Sequence, residues 1–304
     1  AIAELTGLSR SWIGLILVAT VTSLPELVTG LSAVTIARAP DIAIGDALGS
    51  CVFNLLLLAL ADTVYRKEPI YAVASHQHIL PAAFGVILLT AVAMTLLLSA
   101  RGVVPQLGRV SLGSVVLVAL YALAMRVIWK VEQVHPEPAK SSTGSMTFNK
   151  AVMGYALSSI VIVGSGIWLP LVGVELARLM GWSDSFVGTL FIAMATSAPE
   201  LATTLGALRI GAVDLAIGGL LGSNLFDVLI IALDDMAYGP GALYESVSSL
   251  HVLSALAASL MTGAVIVGLS CRPVSRVWHA ASWVSMALVA MYVMNVMMHY
   301  FHTH

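Results

Sequence analysis

Long apolar segments alternate with short polar connections along almost the whole chain. Each apolar segment has roughly the twenty residues that a helix needs to cross the hydrocarbon core of a bilayer. Most connections are short, but residues 131–150 form a longer polar stretch with prolines, a glycine and several hydroxyl side chains. The pattern predicts nine transmembrane helices: Trp12–Ala37, Asp41–Asp62, His78–Ser99, Val110–Lys130, Ala151–Leu179, Asp184–Leu208, Val213–Leu233, Ser249–Leu269 and Arg276–Met298.

Composition supports an all-α, polytopic membrane protein. The 304 residues are 59% hydrophobic and only 10% charged, and the mean hydropathy is +0.96. A soluble domain carries about a quarter charged residues, so nine apolar helices would leave too little polar surface to dissolve this protein. The net charge of −2 gives no indication of nucleic-acid binding. We find no nucleophile–base pair and no phosphate-binding loop, so the sequence predicts neither an enzyme nor an ATP-driven pump.

The polar stretch divides the chain into a first half (1–130), a linker (131–150) and a second half (151–304). With nine helices, ten of the fourteen Lys and Arg residues fall on the side of the membrane that also holds the linker. The positive-inside rule then places the linker in the cytoplasm of a multi-pass inner-membrane protein.

The two halves contain an internal repeat. GLSRSWIG at residues 7–14 corresponds to GWSDSFVG at 181–188, and ATVTSLPEL at 19–27 corresponds to AMATSAPEL at 193–201. LGSCVFN at 48–54 corresponds to LGSNLFD at 221–227. The copies begin at the first and sixth predicted helices, so an odd number of spans separates them and they enter the membrane from opposite sides. Inverted repeats of this kind are common in secondary transporters, which bind ions near the membrane midplane.

Three acidic residues and one amide lie mid-span at corresponding positions of the two copies: Glu26, Glu200, Asp227 and Asn54. An ionised carboxylate at that depth is costly unless it pairs, takes up a proton or binds a cation. No Lys or Arg lies mid-span near them in the sequence. Protonated carboxyl groups that merely pack in the bundle are the alternative, but one shared cation site accounts for all four positions.

Prolines and hydroxyls surround the acidic residues. Pro25 and Pro199 have no N–H to donate, so each predicts a kink. Hydroxyl, carbonyl and carboxylate oxygens are the ligands that Ca²⁺ and Na⁺ prefer. The sequence therefore predicts small hard cations as transported partners, the lipid bilayer as the surroundings and no resident cofactor. The hydroxyls near the kinks and one turn before the next acidic or amide residue are Thr22, Ser23, Thr196, Ser197, Ser50 and Ser223.

The motif TS-x-P-E followed by GS-x-x-F-[ND], present once in each half, resembles the two α-repeats of the cation/calcium exchanger superfamily, and most closely the sodium/calcium exchanger branch. The resemblance implies a central site made by Glu26 and Glu200 and completed by Asn54 and Asp227. The six hydroxyl residues named above would line flanking sodium positions, and the carbonyls of Ala19 and Ala193 would be main-chain ligands. The implied function is antiport of Na⁺ against Ca²⁺ by alternating access.

Three features depart from the family pattern. Val21 stands where glycine is usual, and Cys51 stands where the second copy has Asn224. The family also has ten helices, and the alignment of the copies predicts that a helix preceding residue 1 is missing from this chain. The alternatives that stay open are exchange of H⁺, or of another monovalent ion, for a divalent cation and, less favoured, a passive cation channel. The oligomeric state is not predicted.

Other polar residues lie close to predicted span ends. Asp46 and Asp214 are expected to favour helix N-terminal dipoles, while Asp62, Asp234 and Asp235 are expected to be solvated at helix ends. The histidines near span edges are expected to be interfacial rather than metal ligands: His76, His78, His299, His302 and His304.

Overall fold

Helices account for nearly all of the structure, which a computed structural model describes for residues 18–134, 148–277 and 281–303. In the first half, the α-helices are α1 (Ala19–Thr22), α2 (Leu24–Ser32), α3 (Pro40–Val64), α4 (Ile70–Val73), α5 (Ile79–Ser99) and α6 (Leu112–Val134). In the second half they are α7 (Phe148–Met180), α8 (Asp184–Val187), α9 (Ala193–Thr196), α10 (Ala198–Arg209), α11 (Val213–Ala237), α12 (His251–Cys271) and α13 (Trp283–Thr303). A two-stranded hairpin, β1 (Gln106–Leu107) and β2 (Val110–Ser111), precedes α6.

Seven of the described helices are long and apolar enough to cross a bilayer. The pair Asp184–Thr196 and Ala198–Arg209, bent by 42°, makes an eighth span when it is counted as one. A ninth predicted span, Trp12–Ala37, is described only from residue 18 onwards, where a shorter apolar helix covers Leu24–Ala37. Most of the predicted linker, residues 135–147, lies outside the described residues.

The helices α3 and α11 form the centre of the bundle. They pack against each other, and 89% of the apolar stretch of α3 and 83% of that of α11 are buried, against 22% for α6. Their burial explains why their apolar residues cover the whole circumference instead of one face. The helices α5 and α12 pack together, with α6 against α11 and α13 against α3.

The last helix begins later than predicted. The sequence pattern placed it at Arg276–Met298, but the structure has it at Trp283–Thr303. Arg276 instead belongs to a non-helical stretch, where its guanidinium donates to the carbonyl oxygens of Asp62 at 3.2 Å and Glu68 at 2.9 Å. These hydrogen bonds anchor the loop to the end of α3, so the polar residues before Trp283 are excluded from the helix.

The predicted kinks are confirmed as breaks in the helix. The backbone leaves helical geometry at Ser23, between α1 and α2, and at Ser197, between α9 and α10. Each break lies two residues before a proline, Pro25 or Pro199. Since proline lacks an N–H, the preceding turn loses a hydrogen bond and the chain bends there. The breaks bring the two TS-x-P-E segments to the centre of the bundle.

Two glycines of α3 allow the second broken helix to approach its backbone closely. A Cβ built on Gly45 would meet the Thr189 amide nitrogen at 2.9 Å, and one on Gly49 would lie 2.7 Å from the Ala193 Cβ. Real Cβ atoms do not come so close, so a side chain at either position would push the helices apart. The glycines therefore set the spacing of α3 from residues 189–193.

Asp62 and Asp235 are buried, so the expectation that they are solvated at helix ends is wrong. Each joins the end of its helix to neighbouring segments through backbone hydrogen bonds, and the arrangement is the same in both halves. Asp62 accepts the backbone N–H groups of Ile70 (2.9 Å) and Ser282 (2.7 Å). Asp235 accepts those of Leu243 (2.8 Å) and Ser111 (2.9 Å). Because these carboxylates satisfy buried backbone donors, they hold the bundle ends together.

Two histidine–aspartate pairs also repeat between the halves. His78 lies 3.0 Å from Asp214 and His251 lies 2.9 Å from Asp41. Both histidines are buried, so the expectation that His78 is interfacial is wrong. His299 is buried as well, 2.6 Å from the hydroxyl of Ser254. These side chains use their polarity to join helices inside the protein.

Candidate cation-binding site

The residues predicted for the site come together where the two helix breaks meet α3 and α11. All twelve are buried: Ala19, Thr22, Ser23, Glu26, Ser50, Asn54, Ala193, Thr196, Ser197, Glu200, Ser223 and Asp227. They come from four segments far apart in the chain. The packing of α3 on α11, with α1 against α11 and α9 against α3, brings them together.

Each glutamate is held by a serine from the opposite half. The hydroxyl of Ser197 donates to Glu26 Oε1 at 3.2 Å, and that of Ser23 donates to Glu200 Oε1 at 3.4 Å. A serine of the same half contacts each glutamate too: Ser50 reaches Glu26 at 3.5 Å and Ser223 reaches Glu200 at 3.2 Å. The helix breaks make the cross-contacts, since they put Ser23 and Ser197 at the centre.

One oxygen of each acidic residue has no hydrogen-bond partner: Oε2 of Glu26, Oε2 of Glu200 and Oδ1 of Asp227. None of the ion pairs among the described residues involves these three carboxylates. A buried carboxylate without a partner is costly, and a bound cation would remove that cost. The open oxygens are therefore the chemically available ligands.

Carboxylates alone do not form a closed metal site. In the part of the chain that the structure describes, no three His, Cys, Asp or Glu side chains gather closely enough to hold a metal ion. Hydroxyls lie between the carboxylates instead, with Ser197 3.1 Å from Ser50 and Thr22 3.4 Å from Ser223. A cation here would take some of its six to eight oxygens from hydroxyls and the main chain, as Ca²⁺ sites allow.

Asn54 and Asp227 make their hydrogen bonds with different residues. Asn54 donates from Nδ2 to Asn224 Oδ1 at 3.1 Å, and its own Oδ1 is left without a partner. At the matching position of the other half, the Cys51 thiol lies 3.8 Å from Asp227 Oδ2. Cys51, which departs from the family pattern, therefore replaces an amide donor with a weak thiol donor.

The predicted main-chain ligands already accept hydrogen bonds within their helices. The carbonyl of Ala19 accepts from the Ser23 N–H at 2.9 Å, and that of Ala193 accepts from the Ser197 N–H at 3.0 Å. Each carbonyl also accepts a threonine hydroxyl, that of Thr22 on Ala19 at 3.3 Å and that of Thr196 on Ala193 at 3.1 Å, so a cation would have to displace one of these hydrogen bonds. Their assignment as ligands stays a prediction from the resemblance.

Two more buried carboxylates lie beside the site and were not predicted to belong to it. Asp46 accepts from Thr196 at 2.8 Å instead of only supporting a helix dipole, and its Oδ2 has no partner. Asp234 was expected to be solvated but is buried, and neither of its oxygens has a partner. Apolar residues on all sides of α3 and α11 are the sequence signal that would have identified Asp46 and Asp234 as buried. A helix of this kind has no solvated face for an aspartate.

A cavity of about 270 Å³ reaches the site from one direction. Its lining includes Thr22, Glu200 and Ile210, which directly follows α10. Ile210 is 69% exposed. At the corresponding place in the other half, α7 packs on α2. The cavity is described from Val18 onwards.

The comparison with known families decides the class of protein. The family described as sodium/calcium exchanger protein matches residues 1–130 and 150–301, which together make up most of the chain. The chain belongs to this family. The family consists of transporters, not enzymes, and the chain is a multi-pass integral membrane protein that exchanges cations.

Known relatives cover most of the chain. It is 30% identical over 274 residues to a putative antiporter, CaxA, of Alkalimonas amylolytica, covering 86% of this chain and 80% of that protein. It is 26% identical to the inner membrane protein YrbG of Escherichia coli, covering 72% of this chain and 66% of that protein. Among solved structures, one of the sodium-calcium exchanger NCX_Mj has a TM-score of 0.64 at 21% identity, covering 97% of this chain and 89% of that one. This likeness confirms the exchanger fold.

Proposed function

We propose that the chain exchanges Na⁺ for Ca²⁺ by alternating access at a site made by Glu26, Glu200, Asp227 and Asn54. The observation that carries the proposal is the pair of cross-contacts in which Ser23 of one half holds Glu200 and Ser197 of the other holds Glu26. These contacts join the two halves at the candidate ligands. Alternating access would therefore require the helices around the site to move while the four ligand-bearing segments stay together.

The supporting chemistry is that of a hard-cation site. The central groups offer carboxylate, amide and hydroxyl oxygens, and three carboxylate oxygens have no partner. The only sulfur among the neighbouring groups named above is Cys51, whose contacts are a carbonyl and a carboxylate. Oxygen-rich surroundings favour Na⁺ and Ca²⁺ over zinc or copper.

The proposal includes the inverted repeat. The paired contacts recur at a spacing of 174 residues at the helix breaks, from Ser23 to Ser197. Further along, the spacing is 173 residues, as the shift from Asp62–Ile70 to Asp235–Leu243 illustrates. A duplicated unit inserted in two orientations accounts for this recurrence and for the opposed breaks at Ser23 and Ser197.

Exchange of H⁺ for Ca²⁺ is the second candidate, because buried carboxylates also accept protons. Uptake of radioactive Ca²⁺ into proteoliposomes, with outward Na⁺ and H⁺ gradients applied in turn, separates the two. We expect an outward Na⁺ gradient to drive uptake and an H⁺ gradient alone to give little. Uptake driven only by H⁺ would contradict the choice of coupling ion. Uptake that persists without any counter-ion would indicate a passive channel.

Protons are expected to compete with Ca²⁺ for the central carboxylates. Protonation removes the negative charge that binds the cation, so Na⁺-driven uptake should fall several-fold as the pH drops below about 6. Higher Ca²⁺ concentrations should restore part of the lost uptake, since the competition is for one site. The measurement is initial uptake between pH 5 and 8 at two Ca²⁺ concentrations. A flat profile would count against a shared carboxylate site.

A further inference from the structure

Asp46 and Asp234 lie outside the central set and leave three carboxylate oxygens unused. Asp46 is 1% exposed and Asp234 is 0% exposed. Both oxygens of Asp234 and Oδ2 of Asp46 lack a hydrogen-bond partner. None of the ion pairs between described residues includes either of them.

The contrast with the next residue shows how unusual Asp234 is. Asp235 accepts two backbone N–H groups and the hydroxyl of Ser114, at 2.6 Å. These three hydrogen bonds account for the burial of the Asp235 carboxylate. Asp234 has the same burial and none of these donors, so nothing in the described protein offsets its desolvation. A carboxylate in this position needs a proton or a cation.

Both aspartates are displaced from the central site in one direction. Asp234 faces Gly30, where an added Cβ would lie 2.5 Å from its Oδ2. Gly30 is one helical turn beyond Glu26 on α2. Asp46 is one turn before Ser50 on α3, and Thr196 bridges the two, 2.8 Å from Asp46 and 3.4 Å from Ser50. Relative to Glu26 and Ser50, both Gly30 and Asp46 therefore lie closer to the short connection between α2 and α3.

Ser50 of α3 contacts Glu26 of α2 at 3.5 Å. One turn away from this contact, towards the connection, the same two neighbouring helices carry Asp46 and Gly30, and Gly30 faces Asp234. Neither Asp46 nor Asp234 has a counterpart in the other half, because the 173-residue spacing places Gly219 opposite Asp46 and Ala61 opposite Asp234. The pair therefore exists on one side of the central site alone. Its absence from the repeat separates it from the symmetric groups that the exchanger motif supplies.

We propose that Asp46 and Asp234 form a second position for a divalent cation, one helical turn from the central carboxylates. Two carboxylates balance the charge of one Ca²⁺, and their three open oxygens provide the first ligands. Nearby hydroxyls, carbonyls or water complete the coordination. Gly30 is required there because a side chain would occupy the space next to Asp234. This position binds Ca²⁺ whether or not the central site exchanges it, so the inference goes beyond the proposed function.

Equilibrium binding of radioactive Ca²⁺ to the purified full chain in detergent tests the proposal. The double variant Glu26→Gln, Glu200→Gln weakens the central site and should leave about one bound Ca²⁺ per chain. Adding Asp234→Asn should remove it, and Asp46→Asn should do the same. Adding Glu175→Gln, which changes an exposed carboxylate on α7, is the matched control and should leave binding unchanged.

A thermal-unfolding measurement guards against misfolded variants. In the double variant, Ca²⁺ should raise the melting temperature, and Asp234→Asn should abolish that shift without lowering the melting temperature in Ca²⁺-free buffer. The proposal is overturned if the double variant binds no Ca²⁺, or if Asp234→Asn leaves its binding intact. If the double substitution leaves all binding in place and Asp234→Asn removes it, the second position stands and the proposed central site fails.

Discussion

Replacing Glu26 or Glu200 by glutamine is expected to reduce Na⁺-driven Ca²⁺ uptake by about a hundredfold or more. Glutamine keeps the shape and can still accept from the serine hydroxyls, but it removes one negative charge from a buried site. A hundredfold loss corresponds to ~2.7 kcal/mol, at about 1.4 kcal/mol per factor of ten. That is a small part of the attraction between Ca²⁺ and a carboxylate in contact at low dielectric. The measurement is initial uptake into proteoliposomes at matched protein density.

The control for this experiment is Glu175→Gln. Glu175 is 53% exposed and pairs with Arg178 on the surface of α7, so its loss should leave uptake unchanged. Each variant should elute from size exclusion in detergent like the unmodified protein, because the substitution preserves the hydroxyl contacts. Uptake that stays normal in either the Glu26 or the Glu200 variant would exclude that residue as a ligand.

The repeat explains why the sequence could predict which residues come together at the centre of the bundle. Glu26, Glu200 and Asp227 are recognisable because an acidic residue in the middle of an apolar span needs a partner. Each proline marks a break that the structure confirms, at Ser23 and at Ser197. Two identical signals at a fixed spacing are far more specific than either one alone, so the assembly of four segments followed from one sequence comparison.

The burial of the aspartates near helix ends could not be predicted from the repeat or from hydropathy. Hydropathy locates a span but does not say whether its end is covered by a neighbouring loop. Asp62 and Asp235 are buried because turns at Ile70 and Leu243 fold back over them. The late start of the last helix has the same origin, since Arg276 is held by carbonyls of another segment. Tertiary contacts of this kind leave no local pattern in the sequence.

The contact between Asn54 and Asn224 changes what a charge at position 54 should do. The sequence places Asn54 and Asp227 at corresponding positions of the two copies, but Asn54 Nδ2 donates to Asn224 Oδ1 and only its own Oδ1 remains open. An aspartate at this position would lose that donor and gain a second acceptor oxygen. Asn224 could then donate from its Nδ2 to the new carboxylate. That Nδ2 now donates to the Cys51 carbonyl at 3.1 Å. The cost of the substitution is therefore about one buried hydrogen bond, ~1 kcal/mol.

Asn54→Asp is expected to tighten Ca²⁺ binding by tenfold or more and to slow exchange. With Glu26, Glu200 and Asp227 ionised, the site carries three negative charges. Three Na⁺ balance these charges, whereas one Ca²⁺ leaves one negative charge unbalanced. Transport of three Na⁺ against one Ca²⁺ is then electrogenic, and an inside-positive potential should change the uptake rate. A fourth carboxylate adds a further attraction on the bound Ca²⁺ in a low-dielectric site, and this gain exceeds the lost hydrogen bond. Equilibrium Ca²⁺ binding and the rate of Na⁺-driven release are the measurements, with the surface variant Glu175→Gln as the control. Unchanged Ca²⁺ affinity in Asn54→Asp would show that residue 54 packs against Asn224 without serving the site.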